Sequence, residues 1–357
     1  MRVRATDPDP GRRPRPTTLL PSLMGLVAFL VALACSASPA HASPQAPDRA
    51  FSATSFWNKP LRREAPLASN SRALVRKLVH QKNRYGPWIN TTQYSAPVYV
   101  VGRRQRRVPV HVDTPSSMYS NAADAAELQR DLAAVPIPAD AEPAAGTDSQ
   151  IIIWQPSTDT MWELWIAHKV GEDGCLWGNE EIGGWHAAWG ARIDHVSTQG
   201  GRVEAPFGAA ASGLPLLGGL IRHDELAAGR IDHALAVSIP EVTSRRYVWP
   251  ATRTDGNSTA PDAIPEGTRF RLDPHLRLAR LDLAPVVLAM ARAAKRHGIV
   301  VADRSDGVVF DAEDPSPLRA DPYLSLFDQQ WPSQLLEAFP WGHLQALAPR
   351  RAGGYQR

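Results

Sequence analysis

Arg222, His223, Asp224 and Glu225 follow one another and His233 comes shortly after, so a guanidinium, two imidazoles and two carboxyls share one short stretch of chain. Such groups move protons. Asp224 to Ala228 reads as one helical turn stopped by Gly229, and a strand from Ile231 places His233 on the side of Leu235, Val237 and Ile239. A histidine entering an apolar face must be hydrogen-bonded. It is either a structural histidine tied to a carbonyl, or a general acid/base whose pKa is set by burial and a carboxylate neighbour. Asp303 alternates with Ile299 and Val301, which puts its carboxylate at the edge of the core. There it either pairs with Arg269 or Arg271 or has a raised pKa suited to proton donation.

Six of the eleven tryptophans fall between positions 154 and 189. Alternation along 161–170 puts Trp162, Leu164, Ile166, His168 and Val170 on one face and Glu163, Trp165 and Lys169 on the other. An indole beside a carboxylate and an ammonium suits a sugar, whose C–H faces stack on rings while its hydroxyls need charged partners; a Glu–Lys pair shielding a half-buried tryptophan is the plainer alternative. In 185–196 the same alternation sets Trp185, Trp189 and Ile193 against His186, Arg192 and Asp194, a second candidate cleft wall or a hydrogen-bonded surface. The glycine-rich segment 171–184 carries Glu172, Asp173, Glu180 and Glu181 and reads as a loop, exposed or closing over a ligand.

Several signatures are missing: G-x-S-x-G, a phosphate-binding glycine loop, H-E-x-x-H and C-x-x-C. No cofactor is expected. The acids Asp311, Glu313 and Asp314 offer oxygens for calcium but form an incomplete ligand set.

The elements that must position these groups are β-rich. The chain has 32 prolines, about 9% against a usual ~5%, scattered among short apolar runs. Helices are expected at 69–82 (Ser69 as N-cap), 121–134, 283–297 (Asp282 as N-cap, Gly298 as stop) and within 331–347. Pro97–Val101 and Val108–Val112 read as strands flanking a basic turn of four arginines, and 136–149 as a linker. Strands follow at 150–155, 161–170, 185–196, 231–239, 246–250, 268–272, 299–303 and 308–311. The expected fold is a β-rich α+β unit, an antiparallel jelly-roll-like β-sandwich with a few flanking helices. Residues 43–148 would form an N-terminal extended and helical layer on a 149–348 core, and 349–357 a disordered tail.

The run 214–241 (LPLLGGLIRHDELAAGRIDHALAVSIPE), Pro265–Pro274 (PEGTRFRLDP), Phe339–Leu347 (FPWGHLQAL) and Phe56-Trp57-Asn58 resemble a family of exported bacterial proteins, numerous in actinobacteria. The likeness spans nearly all of the chain after the leader. It implies export and one folded unit, and it transfers no catalytic residue.

The leader itself is legible. An Arg-rich start precedes apolar residues 18–35, and Ala40-His41-Ala42 gives a small-x-small cleavage pattern before Ser43. The uninterrupted core, Leu23 to Cys35, is 13 residues, short of the ~20 that span a bilayer. Arg12-Arg13 raises a twin-arginine signal and Cys35 a lipid anchor as alternatives. Cleavage after Ala42 leaves Cys175 as the one cysteine and excludes an internal disulfide. It also removes five arginines and two acids, leaving 34 basic and 34 acidic residues. A chain without net charge has no field to gather polyanions, so nucleic acid is not an expected partner.

These readings converge on an extracellular carbohydrate-active protein that acts on a polysaccharide or cell-wall glycan, with no membrane span after cleavage. A glycoside hydrolase needs a carboxyl pair: Glu163 with Asp224 or Glu225, or Asp303 as substitute, with Trp165, Trp185, Trp189, His186, Arg192 and Arg222 holding substrate. Two alternatives stand beside it. One is a lyase acting on uronates through His233 or a tyrosine, with Arg222 neutralising the carboxylate. The other is a wall- or glycan-binding protein without turnover.

Overall fold

A computed structural model describes residues 49–113, 122–170, 182–318 and 320–349. The expected leader, Cys35, the cleavage before Ser43, Cys175 with the acidic residues 172–181, and the tail beyond 349 lie outside the described residues.

Along the chain run α1 (Ser71–Tyr85), β1 (Pro87–Asn90), β2 (Val98–Val100), β3 (Val110–Val112), α2 (Ala122–Asp131), β4 (Ile151–Gln155), β5 (Thr160–Trp165) and β6 (His168–Val170). Then come β7 (Gly184–Ala187), β8 (Trp189–Asp194), α3 (Leu216–Gly219), α4 (His223–Ala227) and β9 (Leu235–Ile239). The remainder holds β10 (Arg269–Leu272), α5 (Pro285–Arg296), β11 (Ile299–Arg304), β12 (Val308–Asp311), α6 (Tyr323–Leu326), α7 (Pro332–Glu337) and β13 (Leu344–Ala346). The protein is β-rich, and among the described residues no helix is long and apolar enough to cross a membrane.

The strands form three mixed sheets, ordered β1-β12-β9-β11-β10-β13, β2-β4-β5-β8 and β3-β7-β6. An antiparallel sandwich was expected, but β1/β12, β9/β11, β2/β4 and β3/β7 pair in parallel. Parallel neighbours need long returns, and the sequence supplies one between β9 and β11 in segment 240–298, which contains β10 and α5. The basic turn does not close a hairpin either. β2 pairs with β4 and β3 with β7, in different sheets.

The expected long strands also break. Ile166 takes a positive φ of 51°, so β5 ends at Trp165 and His168 and Lys169 enter another sheet. Ala188 separates β7 from β8 in the same way. The alternation that grouped Lys169 with Glu163 and Trp165, or Trp185 with Trp189, therefore stops at these bends. The 246–250 run forms no strand.

One face of the six-stranded sheet is covered throughout and the other in part. Val237, Ile239, Ile299, Val301 and Phe310 pack with α5, whose Val286, Val287, Met290 and Ala294 form the buried side. Pro285 opens that helix, where its missing N–H costs nothing, and Gly298 follows its end at φ 92°. On the other face Ala234, Val300 and Ala302 meet Trp57, Trp154 and Ile193. Trp57 is fully buried, and a Cβ on Gly218 would stand 2.3 Å from its Nε1. The Gly218-Gly219 pair thus lets α3 lie between this indole and β9, where a Cβ on Gly219 would stand 2.5 Å from that of Ala236.

Candidate active site

The second face of the six-stranded sheet is covered only in part, and what remains open is a groove of about 1090 Å³. Its floor follows strand alternation: Trp88 and Asn90 from β1, Val309 and Asp311 from β12, Ala236 and Ser238 from β9. Asp303 joins this row through a β-bulge. Val301 stands opposite Val237, yet Asp303 stands opposite Ser238, so one extra residue is inserted in β11 between them. The regular alternation predicted Asp303 on the face of Ile299 and Val301; the bulge turns it to the groove.

Four aspartates line this groove: Asp148, Asp303, Asp306 and Asp311. Asp303 Oδ2 accepts the Ala211 N–H at 2.9 Å and Oδ1 its neighbour Arg304 N–H at 2.7 Å. Burial, with the charges of Asp255 and Asp148, still pushes its carboxyl up to about 7. Asp311 Oδ1 accepts from Asn90 Nδ2 at 3.0 Å, and burial with the charge of Asp148 raises it to about 7 as well. Asp148 comes from the segment read as a linker. That segment is packed, with Ile137, Ala141 and Ala144 buried, and Trp165 Nε1 donates to Asp148 Oδ1 at 3.2 Å.

Behind Asp303 lie Asp255 and Glu266, one carboxylate oxygen of each within 4.8 Å of the others. Glu266 is fully buried and neither oxygen is hydrogen-bonded. Burial, then Asp303 and Asp255, hold it well above the usual carboxylate range. Clustered carboxyls of this kind retain protons or hold a hard cation.

Aromatic rings border the acids. Tyr85, Trp88 and Tyr94 line the groove and are 38%, 37% and 45% exposed. Trp331, 66% exposed, stacks on Trp88 with ring centroids 6.4 Å apart and planes at 29°. The Tyr94 ring lies against Gly146, where a Cβ would approach it to 2.9 Å.

Most of the residues singled out from sequence lie elsewhere. Glu163 is fully buried, and its oxygens accept the N–H groups of Ala209 (2.9 Å) and Leu216 (2.8 Å). Burial pushes it up to about 7 against the opposing effect of these two bonds and of Arg253. Arg253 binds the carbonyls of Pro206, Phe207, Gly208, Ala210 and Ala211. Together they fix the loop that presents Ala210, Leu214, Pro215 and Leu216 to the groove.

Arg222, His223, Asp224, Glu225 and His233 are absent from the groove lining. His233 precedes β9 and is not on its ladder. Its Nε2 lies 3.0 Å from Glu225 Oε2 and its Nδ1 bonds the Ala234 carbonyl at 2.9 Å. Burial lowers its pKa, but Glu225 and that carbonyl outweigh burial and leave it raised. Arg222 Nε donates to Glu313 at 2.5 Å, and His223 Nδ1 lies 3.1 Å from the same carboxylate, off hydrogen-bonding alignment. With one nitrogen of each imidazole and the guanidinium facing acids, this cluster has the form of an internal ion-pair network.

Trp185 and Trp189 are buried, the first under Lys169 and the second bonded to the Pro206 carbonyl. Trp154 and Trp162 are equally buried, so these four indoles of the dense run are core and not platform; Trp177 lies outside the described residues. His186 is fully buried against Asp113. Arg192 is half-exposed, pairs with Asp194, and borders a smaller recess with Arg107 and Trp162. Of the acids considered for calcium, Asp311 bonds Asn90, Glu313 is held by Arg222, and Asp314 bonds Ser316.

Asp303, chosen as a catalytic acid, and Asp311, considered only as a calcium ligand, are the acids singled out from sequence that line the groove. Asp148, Trp88, Tyr94 and Trp331 were missed. The usable signal was the polar Asn90 alternating with Trp88 in a short strand beside further aromatics. No protein-family model matches the chain, and no curated protein or solved structure does so.

Proposed function

We propose that the groove binds a glycan chain and hydrolyses its glycosidic bonds outside the cell. One observation carries this reading: Asp148, Asp303 and Asp311 line one groove beneath exposed aromatic rings, and two of the three are raised to about 7. A carboxyl that keeps its proton near neutrality can protonate a leaving oxygen, while an ionised neighbour acts across the bond. Asp303 is the proton donor in this assignment, since its acidity is set by burial and the charges of Asp255 and Asp148. Asp148, which lines the same groove, is its partner carboxyl. The glycosidic C–O bond breaks as Asp303 gives its proton to the departing oxygen. Asp148 serves as base toward water or as nucleophile, and the anomeric form of the first product distinguishes these.

Trp88, Trp331 and Tyr94 provide the faces on which sugar rings stack. The exported location rests on the leader, and N-terminal sequencing of secreted material beginning at Ser43 would support it.

The test is a panel of neutral, uronate-containing and bacterial wall polysaccharides incubated with the mature protein. New reducing ends, lost in Asp303→Asn, support hydrolysis. Unsaturated products would replace this assignment with a lyase. Binding without cleavage would replace it with a glycan-binding protein.

A further inference from the structure

Three histidines stand abreast on the three-stranded sheet: the ladder pairs His111 with His186, and His186 with His168. The ring centroids of His111 and His168 lie 5.0 Å and 5.4 Å from that of His186. Asp113, two residues past His111, brings its carboxylate 2.8 Å from His186 Nδ1 and 3.5 Å from His168 Nε2. One ligand atom from each of Asp113, His168 and His186 falls within 4.8 Å of the others.

The remaining ring nitrogens fix what these atoms present. His186 Nε2 is 2.7 Å from the Ile182 carbonyl, and His168 Nδ1 is 3.0 Å from the Ile166 carbonyl. A carbonyl oxygen only accepts, so each of these nitrogens carries the hydrogen. In a neutral ring the opposite nitrogen then carries a lone pair. Those lone pairs, on His186 Nδ1 and His168 Nε2, face the same carboxylate. Three electron-pair donors converge where His186 is fully buried and Asp113 nearly so. A cation resolves the convergence. An imidazole that donates one N–H to a backbone carbonyl while its other nitrogen binds the ion is the common arrangement of metal-ligating histidine.

We propose that Asp113, His168 and His186 bind one divalent transition-metal ion through a carboxylate oxygen, Nε2 and Nδ1 respectively. Two imidazoles with one carboxylate suit zinc or another first-row ion and not calcium, which takes oxygen ligands. The ion joins β6 and β7 to the residue after β3 in a sheet whose strands are only three or four residues long. The site lies apart from the groove, whose lining contains none of the three ligands.

Elemental analysis of the purified full chain at pH 7.5, after dialysis against metal-free buffer, measures the content directly. Cobalt(II) added to chelator-treated protein is the second readout, through its visible d–d absorption. The expected result is about one ion per chain, a four- or five-coordinate cobalt spectrum, and a melting temperature that falls with chelator and returns with zinc. His168→Asn, on the sheet's edge strand, should weaken binding roughly 10- to 100-fold or more, and circular dichroism checks that it remains folded. Should His186→Ala not fold, the cobalt spectrum of the unaltered chain still decides. Metal-free protein with neither cobalt absorption nor a zinc-dependent melting shift overturns the proposal and leaves a hydrogen-bonded His–Asp pair. Metal retained in folded His168→Asn at unchanged affinity overturns the ligand set.

Discussion

Asp303 stands opposite Ser238 in the parallel β9–β11 ladder, one residue out of step with the alternation that Ile299 and Val301 begin. That offset decides whether the carboxyl meets α5 or the groove. Deleting Ala302 removes the extra residue, so Asp303 should turn toward the apolar face. The variant should lose glycan cleavage and also melt at lower temperature. Asp303→Asn should lose about 10²-fold or more in turnover while remaining folded. Comparing the two by activity and thermal melting separates aim from chemistry.

Glu163→Gln bears on positioning. The carboxylate accepts two backbone N–H groups, whereas a carboxamide oxygen replaces one acceptor and its NH2 confronts the other donor. A cost of ~1–3 kcal/mol is expected in denaturant unfolding. Substrate KM should rise before kcat falls, because Leu216 lies in the groove wall. An unchanged unfolding midpoint would contradict this role.

Stability should fall from pH 5 to pH 8. Glu163, Asp303 and Asp311 are raised to about 7, so between roughly pH 4 and 7 the folded chain holds protons the unfolded chain has released. Their contribution is lost as pH rises through that window. His297 works the other way. Burial lowers it to about 4, so it destabilises the fold as pH drops below the ordinary histidine range. Three acids outweigh one imidazole, and the denaturant midpoint should be higher at pH 5 than at pH 8. Asp311→Asn should flatten the decline.

Trp88→Ala should weaken binding of any captured polysaccharide by about 10-fold, near what loss of an aromatic contact costs. It should leave the melting temperature almost unchanged, since the ring is more than a third exposed. Gly146→Ala, at a positive φ of 101° and against the Tyr94 ring, should shift that ring and lower affinity too. Affinity electrophoresis in polysaccharide gels measures both.

Trp57→Ala should cost ~3–5 kcal/mol in denaturant unfolding, the usual range for emptying a large core site. Gly218→Ala should also destabilise, because the added carbon meets the same indole. A neutral result for Gly218→Ala would mean that α3 can withdraw from Trp57.

Local pattern was readable where one period ran uninterrupted. The α5 stripe, its end near Gly298, and the turn before Gly229 follow from residue spacing. Alternation misled where the chain bends without a glycine or proline to mark it, as at Ile166, Ala188 and the β11 bulge. The groove was hard to read because its acids come from positions 148, 303 and 311, brought together by a loop and by pairings of β11 and β12 with β9 that periodicity does not reveal. Tryptophan density pointed the wrong way. Trp154, Trp162, Trp185 and Trp189 of that dense run are core residues, while the rings at the groove are the scattered ones.

The loop beside Leu216 is fastened from within through peptide groups: Glu163 takes its amides and Arg253 its carbonyls. None of those bonds depends on which side chains the loop carries. Leu216, partly buried at the groove wall, can therefore be exchanged while the backbone keeps its course, whereas Ala210, 4% exposed, has little room to grow. The wall is thus a natural site for diversification, where ligand preference can drift between relatives or be selected in a library at little cost in folding.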